Sequence, residues 1–335
     1  METLQQTPRT ITADRGDAGQ RLDLVLRRHL HDVPDATRTR IQSWIEAGRI
    51  AVNGAVMTRT SARVALGDSI AVSLADLRAR EPMLAEASSL DVLYEDERLL
   101  AINKPAGMIV HPSYKHPHGS LMNALLWRAR SWPEGQRPSL VGRLDKLTSG
   151  IVLVAKSPGV HAAMQRVLSS STSVKEYLAV VHGRVNTDRG EIDLKLGRDP
   201  RDRRRVVISP SDGAASLTRF ERMASGSNAS LLCCRLMTGR MHQIRVHLAA
   251  RGWPIVGDAK YGDPARMPAF PRQALHAWRL SFVYPGARGA TSIEAPLPGD
   301  LRGLLTECSI ELAPWTRAYH PMVRLCHATG LKAVP

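Results

Sequence analysis

The first seventy residues combine two helical apolar patterns with a short hairpin pattern. Leucine and valine recur in residues 22–30 at the spacing of an amphipathic helix, and residues 41–45 repeat that spacing before Gly48. Asn53-Gly54 then separates two apolar runs, and both residue types favour the positive φ angles of a tight hairpin turn. Residues 70–72 follow as a third strand. The sequence therefore predicts a small α-α-β domain.

Beyond residue 90, short apolar runs alternate with turn residues, which is typical of strands. The predicted strands are residues 92–94, 99–102, 108–110, 151–154, 177–181 and 231–237. Helices are predicted between them, near residues 120–130, 158–168 and 241–250. Ser157 followed by Pro158 is typical of a helix start. The fold class is therefore α+β.

These patterns divide the chain into five segments. Residues 1–18 are polar and aperiodic, as in a flexible extension, and residues 19–74 form the small domain. Residues 75–89 are rich in Ala, Glu and Ser, which suits a linker. Residues 90–312 form the larger domain. Residues 313–335 are a carboxyl-terminal tail to which the sequence assigns no role.

The chain is strongly basic. Its 335 residues include 46 Lys and Arg against 31 Asp and Glu, a formal net charge of +15. Such a charge favours polyanionic partners, and RNA, DNA and an anionic membrane are all compatible with it. No apolar run approaches the ~18 residues of a membrane span, and residues 1–12 lack the apolar core of a secretory signal. We therefore expect a cytoplasmic protein without membrane association.

The metal-binding residue types are not arranged as in metal sites. The chain has four cysteines, Cys233, Cys234, Cys308 and Cys326. They show neither the density of a disulfide scaffold nor a Cys-x-x-Cys spacing, so we expect reduced thiols. His111, His242 and His247 also lack the carboxylate or cysteine spacing of a zinc site, so packing roles are expected. No metal is predicted.

The small domain carries a recognisable series of short motifs. In chain order they are Arg21-Leu22-Asp23, Thr37-Arg38, Ile45-Glu46-Ala47-Gly48-Arg49-Ile50 and Val52-Asn53-Gly54. Residues 19–73 thereby resemble the small RNA-binding domain named after ribosomal small-subunit protein four. The resemblance implies that Arg38, Arg40 and Arg49, on or beside the second helix, contact RNA phosphates. A merely solvated helix face is the alternative.

The larger domain carries a longer series. In chain order it reads Asn103-Lys104-Pro105-Ala106-Gly107 with His111-Pro112, Gly142-Arg143-Leu144-Asp145, Lys175-Glu176-Tyr177, Thr238-Gly239-Arg240-Met241-His242-Gln243-Ile244-Arg245-Val246-His247, Pro254-Ile255-Val256-Gly257-Asp258 and Tyr261-Gly262. Together these motifs resemble the RluA-type pseudouridine synthases over about residues 90–300. The resemblance implies the pseudouridine synthase fold, a mixed and mainly antiparallel sheet flanked by helices, with the active-site cleft across its middle.

The resemblance also implies three catalytic residues, Asp145, Tyr177 and Arg245. Replacing the carbon–nitrogen bond of uridine by a carbon–carbon bond needs no redox group, so no cofactor is expected. An ionised carboxylate can form a covalent intermediate, on the base or on the ribose, and a nearby guanidinium keeps it ionised. Tyr177 would stack on the flipped base and assist proton removal. Taken singly, Asp145 could be a turn residue and Tyr177 a core aromatic.

Further residues are expected to serve the same site. RNA contacts are expected from Arg143, Arg203, Arg204, Arg205 and Arg240, although the run near residue 204 also fits a mobile loop. Support of the active-site loops is expected from His111, Thr148, His242 and Gln243. The family usually has His where this chain has Gly142. Because glycine adopts backbone states that His avoids, a different loop conformation is expected there.

We therefore interpret the chain as a monomeric, metal-free and cofactor-free enzyme that isomerises uridine in structured RNA. The amino-terminal domain favours large-subunit (23S) ribosomal RNA over transfer RNA, which stays an alternative substrate. A non-catalytic RNA-binding protein that assists ribosome assembly is a second alternative. A nucleoside hydrolase is disfavoured, because that chemistry normally uses two carboxylates and no second one pairs obviously with Asp145 in the sequence.

Overall fold

The computed structural model describes residues 9–30, 32–33, 36–73, 83–112, 116–262 and 268–311. The chain divides into two compact units, Met1–Pro82 and Met83–Pro335. The expected tail, residues 313–335, lies outside the described residues. Within the described part, no helix combines the length and apolar character that crossing a bilayer requires.

The amino-terminal unit consists of a four-stranded sheet and two helices. Its elements are β1 (Arg9–Thr12), α1 (Leu22–His29), α2 (Arg38–Glu46), β2 (Ile50–Val52), β3 (Ala55–Met57) and β4 (Ser69–Val72). The strand order is β1-β4-β2-β3, with antiparallel pairing throughout. The predicted hairpin is confirmed, since Asn53 and Gly54 have φ angles of 50° and 81°.

The apolar faces predicted for α1 and α2 form the core of this unit. Leu22, Leu26, Ile41 and Ile45 have no exposed surface. Thr37 begins α2, where its hydroxyl oxygen accepts a hydrogen bond from the Arg40 N–H at 3.4 Å and satisfies a free helix-terminal donor. The helical periodicity was therefore sufficient to identify the buried residues.

This unit begins earlier along the chain than the sequence indicated. Residues 9–12 were expected in a flexible extension, but they form β1, in which Ile11 pairs with Ile70 and is buried. The Asp17 carboxylate is also buried and accepts a hydrogen bond from Arg28 at 2.8 Å. A single short strand with one buried apolar residue is too brief to show a period. Residues 1–8 lie outside the described part.

The expected linker ends earlier than residue 89. The Glu86 N–H donates to the Asn123 carbonyl at 3.0 Å, and the Glu86 carboxylate accepts from the Gly119 N–H at 2.8 Å. Residues 83–89 therefore belong to the larger unit, where hydrogen bonds hold them. This was not evident from the sequence, because it has no periodic apolar pattern in this segment. Residues 74–82 lie outside the described part.

The larger unit is built on one extended sheet. Its strands are β5 (Val92–Glu95), β6 (Leu99–Lys104), β7 (Ser139–Leu140), β8 (Ser149–Ala155), β9 (Val174–His182), β10 (Arg189–Asp193), β11 (Leu196–Arg198), β12 (Val206–Ile208), β13 (Leu217–Ser225), β14 (Ala229–Leu236), β15 (Leu275–Val283) and β16 (Ala290–Glu294). Its helices are α3 (Leu121–Arg128), α4 (Pro158–Ser169), α5 (Gln243–Ala250) and α6 (Gly299–Glu307), with a short 3-10 turn at Ala129–Ser131.

Ten of these strands form the sheet, in the order β10-β13-β14-β9-β15-β8-β6-β5, with β7 beside β8 and β16 beside β15. Its pairings are antiparallel except that of β15 with β8. The expected mixed, mainly antiparallel sheet is confirmed. Strands β11 and β12 form a separate hairpin, in which Leu196 and Val206 pack on Val246 of α5.

One predicted strand is wrong. Residues 108–110 form an irregular segment, because the carbonyls of Ile109 and Val110 accept hydrogen bonds from the Leu121 and Met122 N–H groups at 2.8 and 3.1 Å. These N–H groups belong to the first turn of α3 and have no partner within the helix. The segment therefore caps a helix, although its apolar composition matches that of a strand.

The centre of the sheet determines where the loop before β8 can lie. All seven residues of β8 are buried, and the strand runs between β6 and β15. Gly150 has a φ angle of 109°, and a side chain there would overlap the backbone of Ala277 in β15. Because only glycine allows this approach, the loop of residues 141–148 enters the sheet at a defined place.

Candidate active site

Asp145 lies in the loop between β7 and β8 and lines a cleft of about 970 Å³. Its backbone carbonyl accepts a hydrogen bond from the Thr148 N–H at 3.1 Å, as in a turn. Its carboxylate takes no part in that turn and is 27% exposed. The turn expected from the sequence therefore holds the backbone, while the carboxylate faces the cleft.

Arg245 connects two carboxylates. Its Nη1 donates to Asp145 Oδ2 at 2.7 Å, while Nε and Nη2 donate to the two oxygens of Asp258 at 2.7 and 2.8 Å. Arg245 is buried. The paired, two-bond contact is made with Asp258, to which the sequence assigned no role. A single bond to the candidate nucleophile remains.

The buried carboxylate of Asp258 is ionised despite its surroundings. Burial by itself would raise its pKa, but the hydrogen bonds and charge of Arg245 lower it below the ordinary value. The N–H groups of Lys260 and Tyr261 contribute by donating to Oδ1 at 3.0 and 3.2 Å. Asp258 thus supplies a fixed negative charge that holds the guanidinium in place.

Tyr177 lies in β9 and lines the same cleft. Burial, together with the negative charge of Asp145, raises the pKa of its phenol to about 12. The phenol is therefore protonated at neutral pH. The three residues implied by the resemblance are brought together in one cleft, from a loop, a strand and a helix.

His242 is the residue before α5 and has a left-handed backbone, with φ 54° and ψ 17°. Its Nε2 lies 3.7 Å from Asp145 Oδ1, and its Nδ1 lies 2.7 Å from the hydroxyl oxygen of Tyr261. Burial lowers the pKa of His242 to about 4, an effect that Asp145 opposes and Arg245 reinforces. A neutral imidazole therefore stands beside the candidate nucleophile.

The family described as RNA pseudouridylate synthase matches residues 98–250. A Bacillus subtilis protein named YlyB, an RNA pseudouridine synthase, is 38% identical over 88% of this chain and 96% of its own. Ribosomal large subunit pseudouridine synthase D of Nitrosomonas europaea is 39% identical over 86% of this chain and 84% of its own.

This chain belongs to the RNA pseudouridylate synthase family. The solved structure of human RNA pseudouridylate synthase domain containing 4 has the same fold, with a TM-score of 0.56 and 23% identity over 66% of this chain and 94% of that one. The family membership agrees with the resemblance drawn from the motifs, and the fold class is likewise confirmed.

The residues expected to support the active-site loops make different kinds of contact. Thr148 is buried and accepts a hydrogen bond from the Gln273 side chain at 3.1 Å, behind the Asp145 loop. Gln243 accepts from the Thr238 hydroxyl and the Arg240 N–H, at 2.9 and 3.0 Å, and so holds the neighbouring loop. His111 lines the cleft, where desolvation and the charge of Arg143 lower its pKa.

The arginines expected to contact RNA lie in three places. Arg143 and Arg240 are exposed and line the cleft. Arg203, Arg204 and Arg205 stand in the turn between β11 and β12, where Arg204 pairs with Asp202 at 2.9 Å. Arg38, Arg40 and Arg49 belong to the amino-terminal unit, on α2 and just before β2, and Arg38 lies 3.8 Å from Asp23.

Gly142 does not use the special freedom of glycine. Its backbone is outside the left-handed region, and a side chain built there would meet nothing within 4 Å. The difference in backbone conformation expected at this position is therefore not required by its geometry. Gly142 is exposed and lines the cleft, so its consequence is an open space beside Arg143.

Lys104, Asp258 and Tyr261 lie within the motifs of the larger domain, but no role was predicted for them. Lys104 has no exposed surface, and its ammonium donates to the carbonyls of Pro105, Met108 and Lys146 at 2.8, 3.0 and 3.1 Å. Burial lowers its pKa to about 8, and the charge of Arg272 adds to this effect. The isolated charge within the apolar context of β6 was the available signal.

Possible metal ligands come together in the amino-terminal unit. Within the described part of that unit, Asp14, Asp17 and His29 place ligand atoms within 4.8 Å of one another. The Arg28 guanidinium already donates to both carboxylates, at 2.8 Å each, and so balances their negative charge. Cys233, Cys234 and Cys308 are free thiols, whereas Cys326 lies outside the described residues.

Proposed function

We propose that this chain converts uridine to pseudouridine in large-subunit ribosomal RNA, with Asp145 as the nucleophile. The observation that carries the proposal is the hydrogen bond of 2.7 Å from Arg245 to the partly exposed carboxylate of Asp145 in the cleft. An accessible carboxylate thereby ends a buried ion-pair network formed by Arg245 and Asp258. Family membership supports the reaction, and the name of the Nitrosomonas europaea relative supports the substrate.

The reaction requires that one bond of uridine be replaced by another. The carboxylate of Asp145 forms a covalent intermediate with the base or with the ribose carbon while the bond between N1 and C1′ breaks. The uracil then rotates within the cleft, C5 bonds to C1′, and the bond to Asp145 breaks so that the free carboxylate is regenerated. The proton lost from C5 is balanced by the proton that N1 gains. All atoms of the substrate are retained, so the reaction as proposed uses no cofactor and no metal.

Arg245 acts as the electrostatic partner of the nucleophile. Its charge stabilises the ionised carboxylate before attack, and the same charge is already anchored by Asp258 when Asp145 becomes bonded to the substrate. A guanidinium suits this position because its three nitrogens donate to two carboxylates at once in a fixed planar geometry. The ammonium of a lysine has no such fixed geometry.

Tyr177 is assigned a positioning contact with the everted uracil. A phenol with a pKa of about 12 stays protonated at neutral pH, so it offers a flat face and a hydroxyl donor rather than a ready base. Any part in removal of the C5 proton would then need a group that accepts the phenolic proton at the same moment. The adjacent Asp145 carboxylate is such a group once it has left the substrate.

Basic groups of both units are proposed to bind RNA. Arg143 and Arg240 on the cleft, the arginines of the β11–β12 turn, and those of the amino-terminal unit would neutralise phosphates, which gives salt-sensitive affinity. Extruding a base costs a few kcal/mol, and phosphate contacts offset that cost. A ribosomal substrate places the enzyme in the cytoplasm, and we propose that it acts there as a monomer.

The test compares the purified wild-type protein with Asp145→Asn on ribosomal RNA and, separately, on transfer RNA from a strain that lacks the gene. Pseudouridines are mapped by carbodiimide labelling and primer extension, and RNA affinity is measured in parallel. Asp212→Asn, a change of an exposed loop aspartate, is the matched control. We expect one to a few positions to be restored by the wild type and the control, and none by Asp145→Asn, which still binds RNA.

The alternatives have distinct outcomes in this experiment. Modification confined to transfer RNA would refute the ribosomal substrate and keep the reaction. RNA maps that are identical with and without the wild-type protein would favour a non-catalytic assembly factor. Restoration by Asp145→Asn would remove Asp145 from the nucleophile role.

A further inference from the structure

The hydroxyl of Tyr261 sits between the basic hairpin and the candidate active site. The backbone N–H of Val206, in β12, donates to the Tyr261 hydroxyl oxygen at 2.8 Å. The same oxygen lies 2.7 Å from His242 Nδ1, and the two rings pack edge to face with centroids 5.5 Å apart. Through this one atom the hairpin and the residue beside Asp145 share a contact.

The direction of these hydrogen bonds follows from what each group can donate and accept. The phenol oxygen of Tyr261 accepts from the Val206 N–H, and burial raises its pKa above the ordinary value, so the phenol keeps one proton to donate. On the other side of the His242 ring, Nε2 lies 3.7 Å from Asp145 Oδ1, and an ionised carboxylate only accepts. The arrangement in which no two lone pairs face each other has the Tyr261 hydroxyl donating to Nδ1 and the ring proton on Nε2.

Burial keeps the imidazole of His242 neutral. It lowers the pKa of His242 to about 4, an effect that Arg245 and Lys260 reinforce and that Asp145 and Asp258 oppose. A neutral imidazole has two tautomers, which present either a proton or a lone pair to a neighbour. Here the neighbour of Nε2 is Asp145 Oδ1, at 3.7 Å.

We propose that Tyr261 is a positioning residue that holds His242 in the tautomer with the proton on Nε2, directed at Asp145, and that its own place is set by the β11–β12 hairpin. This inference rests on the proposed function for its effect on rate. The opposite tautomer would direct a lone pair at the carboxylate, which repels it. Asp145 Oδ1 therefore faces a donor while Oδ2 is held by Arg245.

The left-handed backbone of His242 strengthens the argument. A non-glycine residue in this region persists where its surroundings hold it, and such residues are concentrated at functional sites. The Tyr261 hydroxyl is the hydrogen-bond partner that holds the His242 ring at Nδ1. The strained residue and its partner are thus parts of one arrangement.

The hairpin is tied to Tyr261 at more than one point. Lys260 Nζ donates to the Arg204 carbonyl at 3.1 Å, and the Arg205 guanidinium lies 5.4 Å from the centre of the Tyr261 ring. Val206 follows the arginine run directly in sequence. A shift of these arginines on binding RNA would therefore be transmitted to the hydroxyl that orients His242.

The first test reads the tautomer directly and needs no substrate. Nitrogen chemical shifts of histidine-labelled protein without RNA distinguish protonated from unprotonated ring nitrogens, and His242→Asn assigns the signal. We expect the wild type to carry the proton on Nε2 and Tyr261→Phe to show a mixture of both tautomers. A wild-type ring with its proton on Nδ1 would overturn the proposal, whether or not Tyr261→Phe folds.

The second test asks whether Tyr261 acts through His242. Single-turnover rates and RNA affinities are measured for Tyr261→Phe, His242→Asn and the double variant on an RNA that the wild type modifies, with Tyr284→Phe as the matched tyrosine control. We expect Tyr261→Phe to lower the rate about tenfold with unchanged affinity, as loss of one oriented hydrogen bond predicts. The double variant should be no slower than His242→Asn alone.

Additive losses in the double variant would show that Tyr261 does not act through His242 and would overturn the inference. An unchanged rate in Tyr261→Phe would do the same. If the wild type modifies no RNA, the proposed function fails, and the tautomer measurement still decides the placement of the His242 proton.

Discussion

Asp258 holds Arg245 by two parallel hydrogen bonds, of 2.7 and 2.8 Å, and leaves the third guanidinium nitrogen for Asp145. Both members of the anchoring pair are buried, whereas the proposed nucleophile, Asp145, is 27% exposed. The guanidinium would therefore keep its place if the Asp145 carboxylate bonded to the substrate. We accordingly expect Asp258 to matter to the site as much as the residues that face the cleft.

Removing the charge of Asp258 is expected to destabilise the fold and the site together. Asp258→Asn leaves the buried Arg245 without its anchoring carboxylate, which should lower the free energy of unfolding by roughly 3–5 kcal/mol. Urea denaturation measures this change. Glu191→Gln is the control, because Glu191 accepts a hydrogen bond from Arg219 at 2.6 Å and both side chains of this pair are about half exposed. Its loss should be about 1 kcal/mol or less, and equal losses would contradict the anchoring role.

The buried Lys104 predicts a specific dependence of stability on pH. Its folded pKa is lowered to about 8, below the ordinary value of 10.5, so the unfolded chain holds this proton more tightly. The resulting penalty on the folded state is fully present below pH 8 and is relieved as pH rises from 8 to 10.5, by about 3 kcal/mol at most. Lys104→Met should lack this rise.

Tyrosines and thiols of the unfolded chain also titrate in that range. The quantity to compare is therefore the difference in unfolding free energy between wild type and Lys104→Met at each pH. Urea denaturation from pH 7 to pH 10.5 supplies it. Parallel curves for wild type and Lys104→Met would show that Lys104 is not a depressed, buried ammonium.

Substitution of two glycines near the site should change the unfolding free energy by very different amounts. Gly142→His introduces a side chain where nothing lies within 4 Å, and we expect a change in unfolding free energy within about 0.5 kcal/mol. Gly150→Ala forces a side chain into the backbone of Ala277 at a φ angle of 109°, so a loss of more than about 3 kcal/mol is expected. Thermal unfolding measures both. A severe loss at Gly142 would mean that its loop is more constrained than its contacts show.

The basic hairpin predicts a change in the salt dependence of RNA binding. Arg203 is exposed in the β11–β12 turn, and Arg203→Gln should reduce the slope of log affinity against log salt by about one, the contribution of one phosphate contact. Arg219→Gln is the control, since Arg219 lies in β13 and pairs with Glu191 at 2.6 Å. Filter binding over a range of salt concentrations supplies the slopes, and identical slopes for Arg203→Gln and wild type would exclude the contact.

Part of the local structure could be predicted because its determinants are short-range. The two amino-terminal helices follow from apolar residues at helical spacing, and the Asn53-Gly54 hairpin follows from the positive φ angles that these residues tolerate. Five of the ten strands of the large sheet, β5, β6, β8, β9 and β14, were predicted from apolar runs between turn residues, and the other five were missed. Residues 108–110 were misassigned because composition reports burial, while their hydrogen-bond partners lie on α3, which composition does not report.

The sequence motifs alone identified Asp145, Tyr177 and Arg245 as expected catalytic residues and gave their order along the chain. Which carboxylate receives the paired bonds of Arg245, and which hydroxyl faces His242, became known from the folded structure. These contacts join residues from separate strands, loops and helices, so their distances depend on the order of strands in the sheet and on the close approach of β15 to Gly150. A sequence pattern reports periodicity and residue type, whereas the choice of hydrogen-bond partners depends on how the whole chain packs.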